Sequence, residues 1–171
     1  MRKLIFDAGP LITTCKFSVA GRLVIDHLLD HCAIAVAESV RAEVVVAGAS
    51  YPDAQAAQQR LDEGRITALS PPAAPELEEL LAPYSLGDGE RDSILLSEHA
   101  ELRDVTLVID DHLAYLVSDR LGRQKRFLLD VIADLANAGT LDRGVAADIV
   151  HAIQSRYPPA FVEHTLLLLR R

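Results

Sequence analysis

Two rhythms of apolar residues alternate along this chain, short near-continuous runs and longer stretches with helical spacing. Leu4 to Phe6 and Val105 to Ile109 are runs of the kind that form strands buried on both faces. Ala33 to Ala35 and Ile66 to Leu69 predict a second and a third strand, and Lys125 to Leu128 reads either as a last strand or as a helix onset. The spacing between them predicts helices from Pro10 toward Ser18 and over Arg22–Asp30, Ala37–Ala47, Asp53–Glu63, Pro75–Leu81, Glu90–Leu102, Asp111–Arg120, Leu129–Asn137, Asp142–Ser155 and Pro159–Leu169. Gly48, Gly64 and Gly139 mark helix ends. Such alternation predicts an α/β fold, a three-layer sandwich whose short central parallel sheet is flanked by helices. No linker or repeat divides the 171 residues, so they are expected to form a single domain, with 140–171 as a C-terminal helical extension.

Both strong runs end on acid. KLIFDAGPLI carries Asp7 out of the first strand, and VTLVIDDH carries Asp110 and Asp111 out of a later one. In open α/β sheets ligands bind outside the carboxyl ends of the strands, so these acids are expected on one rim. Asp7 alone reads equally as a helix N-cap. Glu43 shares a helix face with Val40, Val44 and Ala47, and a carboxylate on a core-facing stripe needs a partner.

Glu90 and Asp92 lie about 200° apart on a helical wheel. Asp92 falls nearer the side of Ile94, Leu95 and Leu102, while Glu90 groups with Ser97, Glu98 and Glu101 and sits in a first turn where the helix dipole favours an acid. The wheel favours Asp92 for the cleft and leaves Glu90 as the alternate. Of Asp110 and Asp111, one is expected in the cleft and the other as the cap of the helix beginning near His112, with Asp111 favoured for the cleft. Each like-charged pair at ~4 Å costs about 4 kcal/mol at an effective dielectric near 20. Hard divalent cations relieve such repulsion, which points to Mg²⁺ or Mn²⁺.

The formal charge of −8 speaks against wholesale adhesion to nucleic acid, although cations in an acidic cleft and a local basic strip would permit it. Arg120, Arg123, Lys125 and Arg126 form the densest basic patch and are the candidates for phosphate contacts. Aromatic residues are scarce, which disfavours a base-stacking module. Cys15 and Cys32 form no C-x-x-C pair, so buried reduced thiols are expected and no zinc site. The first strand begins within a few residues of Met1, leaving no room for a secretory leader, and apolar runs such as Thr165 to Leu169 are too short to span a bilayer. A cytoplasmic protein is expected. His112, alone after an acidic pair, reads as a surface residue.

FDAGPLI, ESVRAEVV, LGDGERDSILLSEHAEL and VTLVIDDHLAYLVSDRLG, in this order, resemble the PIN (PilT N-terminus) domain family of metal-dependent ribonucleases, which includes VapC-like toxins of toxin–antitoxin pairs. A PIN subgroup described only as nucleic-acid-binding is particularly similar. The resemblance implies that Asp7, Glu43, Asp92 or Glu90, and Asp111 surround one or two Mg²⁺ or Mn²⁺ ions, with Asp7, Asp92 and Asp111 as ligands. It also implies in-line hydrolysis of an RNA phosphodiester, with RNA as substrate and an antitoxin protein as partner. The chain departs from the family in carrying Gly9 where a hydroxyl residue commonly stands two positions after the first acid, with Thr13 and Thr14 the nearest substitutes. A final strand after Gly122 is poorly marked. The apolar stretch Leu166 to Leu169 is a candidate homodimer surface. Competing readings are a degenerate PIN-fold module that binds without catalysis, and a receiver or phosphatase-like phosphoryl-transfer domain. The second is disfavoured because no lysine lies between Lys16 and Lys125.

Overall fold

Asp7 owes its place to the strand that precedes it. The computed structural model describes residues 1–102 and 104–171, and in it β1 (Arg2–Phe6) is the middle strand of a parallel sheet. Leu4, Ile5 and Phe6 are fully buried, as a strand covered on both faces requires. β1 pairs with β4 (Cys32–Ala37) on one side, Phe6 opposite Val36, and with β6 (Thr106–Val108) on the other, Phe6 opposite Val108. β5 (Ile66–Leu69) and β7 (Lys125–Arg126) extend the two flanks, giving the order β5-β4-β1-β6-β7 with all strands parallel. The chain runs outward from β1 through β4 to β5 and then returns to lay β6 on the far side of β1. The resulting switch of direction between β1 and β6 is where such sheets open a crevice at their carboxyl ends.

Helices cover both faces, which makes the α/β three-layer sandwich expected of the sequence. They are α1 (Ala8–Lys16), α2 (Val24–Leu29), α3 (Glu38–Arg41), α4 (Pro52–Asp62), α5 (Pro75–Leu81), α6 (Asp88–Leu96), α7 (His112–Arg120), α8 (Leu128–Asn137), α9 (Arg143–Ile153) and α10 (Pro159–Leu169). None is long and apolar enough to cross a membrane among the described residues.

The elements differ from expectation in three places, and the structure settles a fourth that the sequence leaves open. The helix expected over Arg22–Asp30 starts at Val24, because Ser18–Val19 (β2) and Arg22–Leu23 (β3) form a small antiparallel hairpin. Its turn takes left-handed values at both centres, Ala20 (φ 51°) and Gly21 (φ 76°), as a two-residue hairpin turn requires. The helix expected over Ala37–Ala47 is α3 followed by a π-helical turn over Ala42–Val46. There the Ala47 N–H donates to the Ala42 carbonyl at 3.0 Å, and the extra residue breaks the i, i+4, i+7 stripe, so Val44 and Val45 are both buried and Ala47 is exposed. The helix expected over Glu90–Leu102 begins two residues earlier and stops at Leu96, with a separate 3-10 turn over Ala100–Leu102. Ser97 Oγ donates to the Ile94 carbonyl at 2.6 Å and competes with the backbone ladder there. Lys125 and Arg126 are a strand, and the helix onset is Leu128.

Candidate active site at the sheet edge

Asp7 occupies the N-cap position of α1, yet its side chain makes no cap hydrogen bond. The carboxylate is 5% exposed and its Oδ1 has no hydrogen-bond partner. Burial, with added repulsion from Glu90, Glu43 and Asp111, pushes its pKa up to about 7 against the pull of the Ala8 backbone N–H. Asp26 provides the contrast. It is 8% exposed, but Arg60 and Arg65 reach it at 2.6 and 2.5 Å. Burial raises its pKa, and the two guanidiniums more than reverse this to hold it below the ordinary carboxylate value. Asp26 is therefore a structural acid joining α2, α4 and the start of β5. Asp7 has no such cation.

Glu43 arrives from the π-helical turn beyond the end of β4. A Cβ built on Gly89 would stand 3.0 Å from Glu43 Oε2, 3.2 Å from Val40 Cγ2 and 3.8 Å from Asp7 Oδ1. The bare Cα of Gly89 thus leaves the space into which both carboxylates fit. Glycine inside a helix costs about 1 kcal/mol relative to alanine, and here the missing side chain admits two acids. Gly89 lies inside α6, one residue ahead of the helix that the sequence predicts from Glu90, and the sequence carries no signal of this role.

On α6 the two candidate acids part company. Glu90 stands among the charges that act on Asp7, and one of its oxygens accepts the Gly87 N–H at 2.9 Å, closing the first turn of α6. Asp92 lines a separate groove with Pro71, Pro72, Glu78 and Arg91. The helical wheel that favours Asp92 takes Leu102 as part of the same helix, whereas α6 runs from Asp88 to Leu96.

At the end of β6 the two aspartates take different partners. Asp111 accepts the Ala114 N–H at 2.8 Å as the N-cap of α7, and its charge acts on Asp7. Asp110 turns the other way. Its Oδ1 accepts the Leu128 N–H at 3.2 Å and its Oδ2 the Tyr157 hydroxyl at 2.6 Å. Burial raises its pKa despite these bonds. The substitutes considered for the missing hydroxyl at Gly9 are engaged elsewhere: Thr14 donates to the Pro10 and Leu11 carbonyls, and Thr13 accepts from Arg156 at 3.4 Å.

The basic patch is largely neutralised. Arg123 pairs with Glu98, Lys125 with Asp119, and Arg126 with Asp134 at 3.3 Å. Asp134 also holds Arg2 at 3.0 Å, at the opposite end of β1 from Asp7, so Arg126 is drawn back along the sheet. Arg120 is exposed and forms no ion pair among the described residues. His112 is exposed at the start of α7, as expected, and both cysteines are buried and free.

Among the described residues, no three His, Cys, Asp or Glu side chains stand close enough to enclose a metal by themselves. A small hard cation needs fewer, since Mg²⁺ keeps several waters and takes one or two carboxylates. The orphaned Asp7 Oδ1 and the Asp7–Glu43 approach over Gly89 fit that requirement, and the all-oxygen donor set suits Mg²⁺ or Mn²⁺.

No curated protein and no solved structure matches the chain. A family model described as a PIN domain matches residues 3–168. PIN domains have a nuclease-type fold, generally act as nucleases on nucleic acid and typically use divalent metals. The match runs from β1 through nearly all of α10 and takes in every acid of the rim, and the chain belongs to the PIN domain family.

Proposed function

We propose that this protein is a divalent-metal-dependent endoribonuclease, a hydrolase of RNA phosphodiesters. The observation that carries the reading is Asp7, an acid buried at the crevice with an oxygen left unpartnered while three other carboxylates press on it. Asp7 and Glu43 would hold the cation, with Asp111 beside them. When bound, Mg²⁺ or Mn²⁺ supplies Lewis acidity, lowering the pKa of water and offsetting charge at the phosphate. Glu90 is our choice over Asp92 for orienting water at the rim, because its charge and not a distant groove is shared with Asp7. Asp110 holds structure and touches no reacting atom in this reading.

Arg120 is the proposed phosphate contact. Arg123, Lys125 and Arg126 would join it only by exchanging their carboxylate partners for phosphate. We place the chain as a single PIN-like domain in the cytoplasm, with 140–171 completing it. The finer assignment is a VapC-like toxin with a protein antitoxin and self-association through Leu166 to Leu169. A neighbouring reading frame for a DNA-binding antitoxin would test it. A second reading, a degenerate module that binds without cleaving, is favoured by the same absence of three gathered ligands among the described residues and by Gly9.

The deciding experiment is cleavage of single-stranded RNA with Mn²⁺ or Mg²⁺, paired with thermal unfolding. The parent is expected to cleave, and millimolar metal to raise its thermal midpoint by mass action. Asp7→Asn is expected to stay folded, lose the metal response and slow cleavage by about 1,000-fold or more. Parent protein that cleaves no RNA with either metal would favour the binding module.

A further inference from the structure

Residues beyond the sheet reach back to its acidic rim. Tyr157 follows a 3-10 turn (Gln154–Arg156) with extended backbone at φ −130° and ψ 154°, and Pro158 and Pro159 lead on into α10. Its hydroxyl donates to Asp110 Oδ2 at 2.6 Å. Next to it, the Arg156 Nε–H donates to the Thr13 hydroxyl at 3.4 Å. Thr13 lies on α1, the helix that Asp7 opens. The Arg156–Tyr157 pair thus joins the element after β1 to the residue after β6.

Asp110 has no freedom left. One oxygen serves Tyr157 and the other accepts the Leu128 N–H, filling the cap of α8 that its own N-cap residue Phe127 leaves open. Its Cβ also lies 3.8 Å from where a Cβ on Gly9 would stand. Asp111 follows in extended backbone, φ −74° and ψ 132°. Successive side chains of extended backbone point to opposite sides. Fixing Asp110 inward therefore fixes Asp111 outward, where its charge acts on Asp7.

We infer that Tyr157 is a positioning residue for the rim: through its bond to Asp110 it holds the Asp111 carboxylate over the cleft, so the segment after α9 completes the site. Backbone bonds tie the ends of the Ile109–Asp111 segment, the Ile109 N–H to the Arg126 carbonyl at 3.2 Å and the Tyr115 N–H to the Asp111 carbonyl at 3.0 Å, and the Asp110 side chain ties its middle. This inference rests on the nuclease reading for its kinetic consequence. Its geometric part, the placement of Asp111, stands apart from that reading.

Tyr157→Phe removes one oxygen and keeps the ring. Three measurements follow it: Mn²⁺ affinity by titration, hydrogen exchange of the Ala114 amide that Asp111 accepts, and steady-state RNA cleavage. We expect unchanged circular dichroism, Mn²⁺ affinity weaker by about 5-fold, Ala114 exchange faster by about 10-fold and kcat lower by about 10-fold with KM within about 2-fold. In an Asp111→Asn background, Tyr157→Phe should add no further loss of Mn²⁺ affinity, since coupling and not general destabilisation links the two. Thr13→Val, which leaves the Tyr157–Asp110 bond and removes only the neighbouring Arg156–Thr13 bond, should shift the same quantities less. Parental Mn²⁺ affinity and Ala114 exchange in Tyr157→Phe would overturn the inference, as would an equal further loss in the Asp111→Asn background. A parent that binds Mn²⁺ and cleaves no RNA sinks the nuclease reading, and the affinity and exchange measurements still decide on Tyr157. A parent that binds no Mn²⁺ sinks the metal reading as well, and Ala114 exchange then decides alone.

Discussion

β1 and β6 run side by side and deliver aspartate to the same edge, one as Asp7 and the other as Asp110 and Asp111. In sequence the two endings follow one grammar, an apolar run that stops at an acid. Their surroundings differ. The β6 end commits its carboxylates to the fold: Asp110 joins α8 to Tyr157, and Asp111 caps α7. The β1 end commits almost nothing. Asp7 stands at a cap position without capping and keeps a buried oxygen unpartnered. Satisfied polar groups hold structure, whereas a buried unsatisfied carboxylate calls for an explanation, which a ligand, a water or a catalytic role supplies. The contrast supports our proposal that Asp7 is the chemical centre, with the β6 aspartates as its frame and flank.

The largest test of this difference is pH, in the metal-free protein. Asp7 has its pKa raised from 3.8 to about 7, so the folded state holds a proton that the unfolded chain gives up. Its contribution is full below pH ~4 and is lost as pH rises through about 7, with an upper bound of about 4 kcal/mol. Chemical denaturation in a chelating buffer between pH 4 and 8 should show that fall, and Asp7→Asn should flatten it. An equally steep fall in Asp7→Asn would place the spare acid elsewhere.

Asp111→Asn sharpens the comparison from the β6 side. Asparagine caps a helix as well as aspartate does, so the thermal midpoint should move by no more than about 2 °C, while metal-dependent cleavage drops about 100-fold. Loss of stability without that drop would make Asp111 only a cap. On α6 a smaller effect separates two neighbours. Glu90→Gln should slow cleavage about 10-fold, against less than about 2-fold for Asp92→Asn, because only the first shares the field of Asp7. The reverse order in a single-turnover assay would restore the helical-wheel ranking. The smallest effect is expected at Arg126. With its guanidinium held by Asp134, Arg126→Ala should change KM for RNA by less than about 3-fold, whereas Arg120→Ala should raise it and reduce the salt dependence of binding.

The sheet, its order of elements and the rim of acids were legible in the amino-acid sequence because each rests on local information. A buried parallel strand must be almost wholly apolar, and a carboxylate at its end can only leave the core. The helix breaks were less legible. The π turn at Ala42–Val46 adds one residue that no periodicity announces, and Ser97 ends α6 by a side-chain bond that a wheel does not weigh. The partners of the basic patch were not legible, because Glu98, Asp119 and Asp134 are brought to it by packing.

Sequence by itself determined that acids would meet at the carboxyl edge of a parallel sheet. Only the tertiary structure decided which of them are spent. Whether Asp7 or Asp26 finds an arginine, whether Glu90 or Asp92 shares a field with Asp7, and whether Asp110 is pinned by a tyrosine from the far end of the chain all depend on distances between elements remote in sequence. Electrostatic energy and hydrogen bonding fall off over a few ångströms, and those ångströms are set by packing.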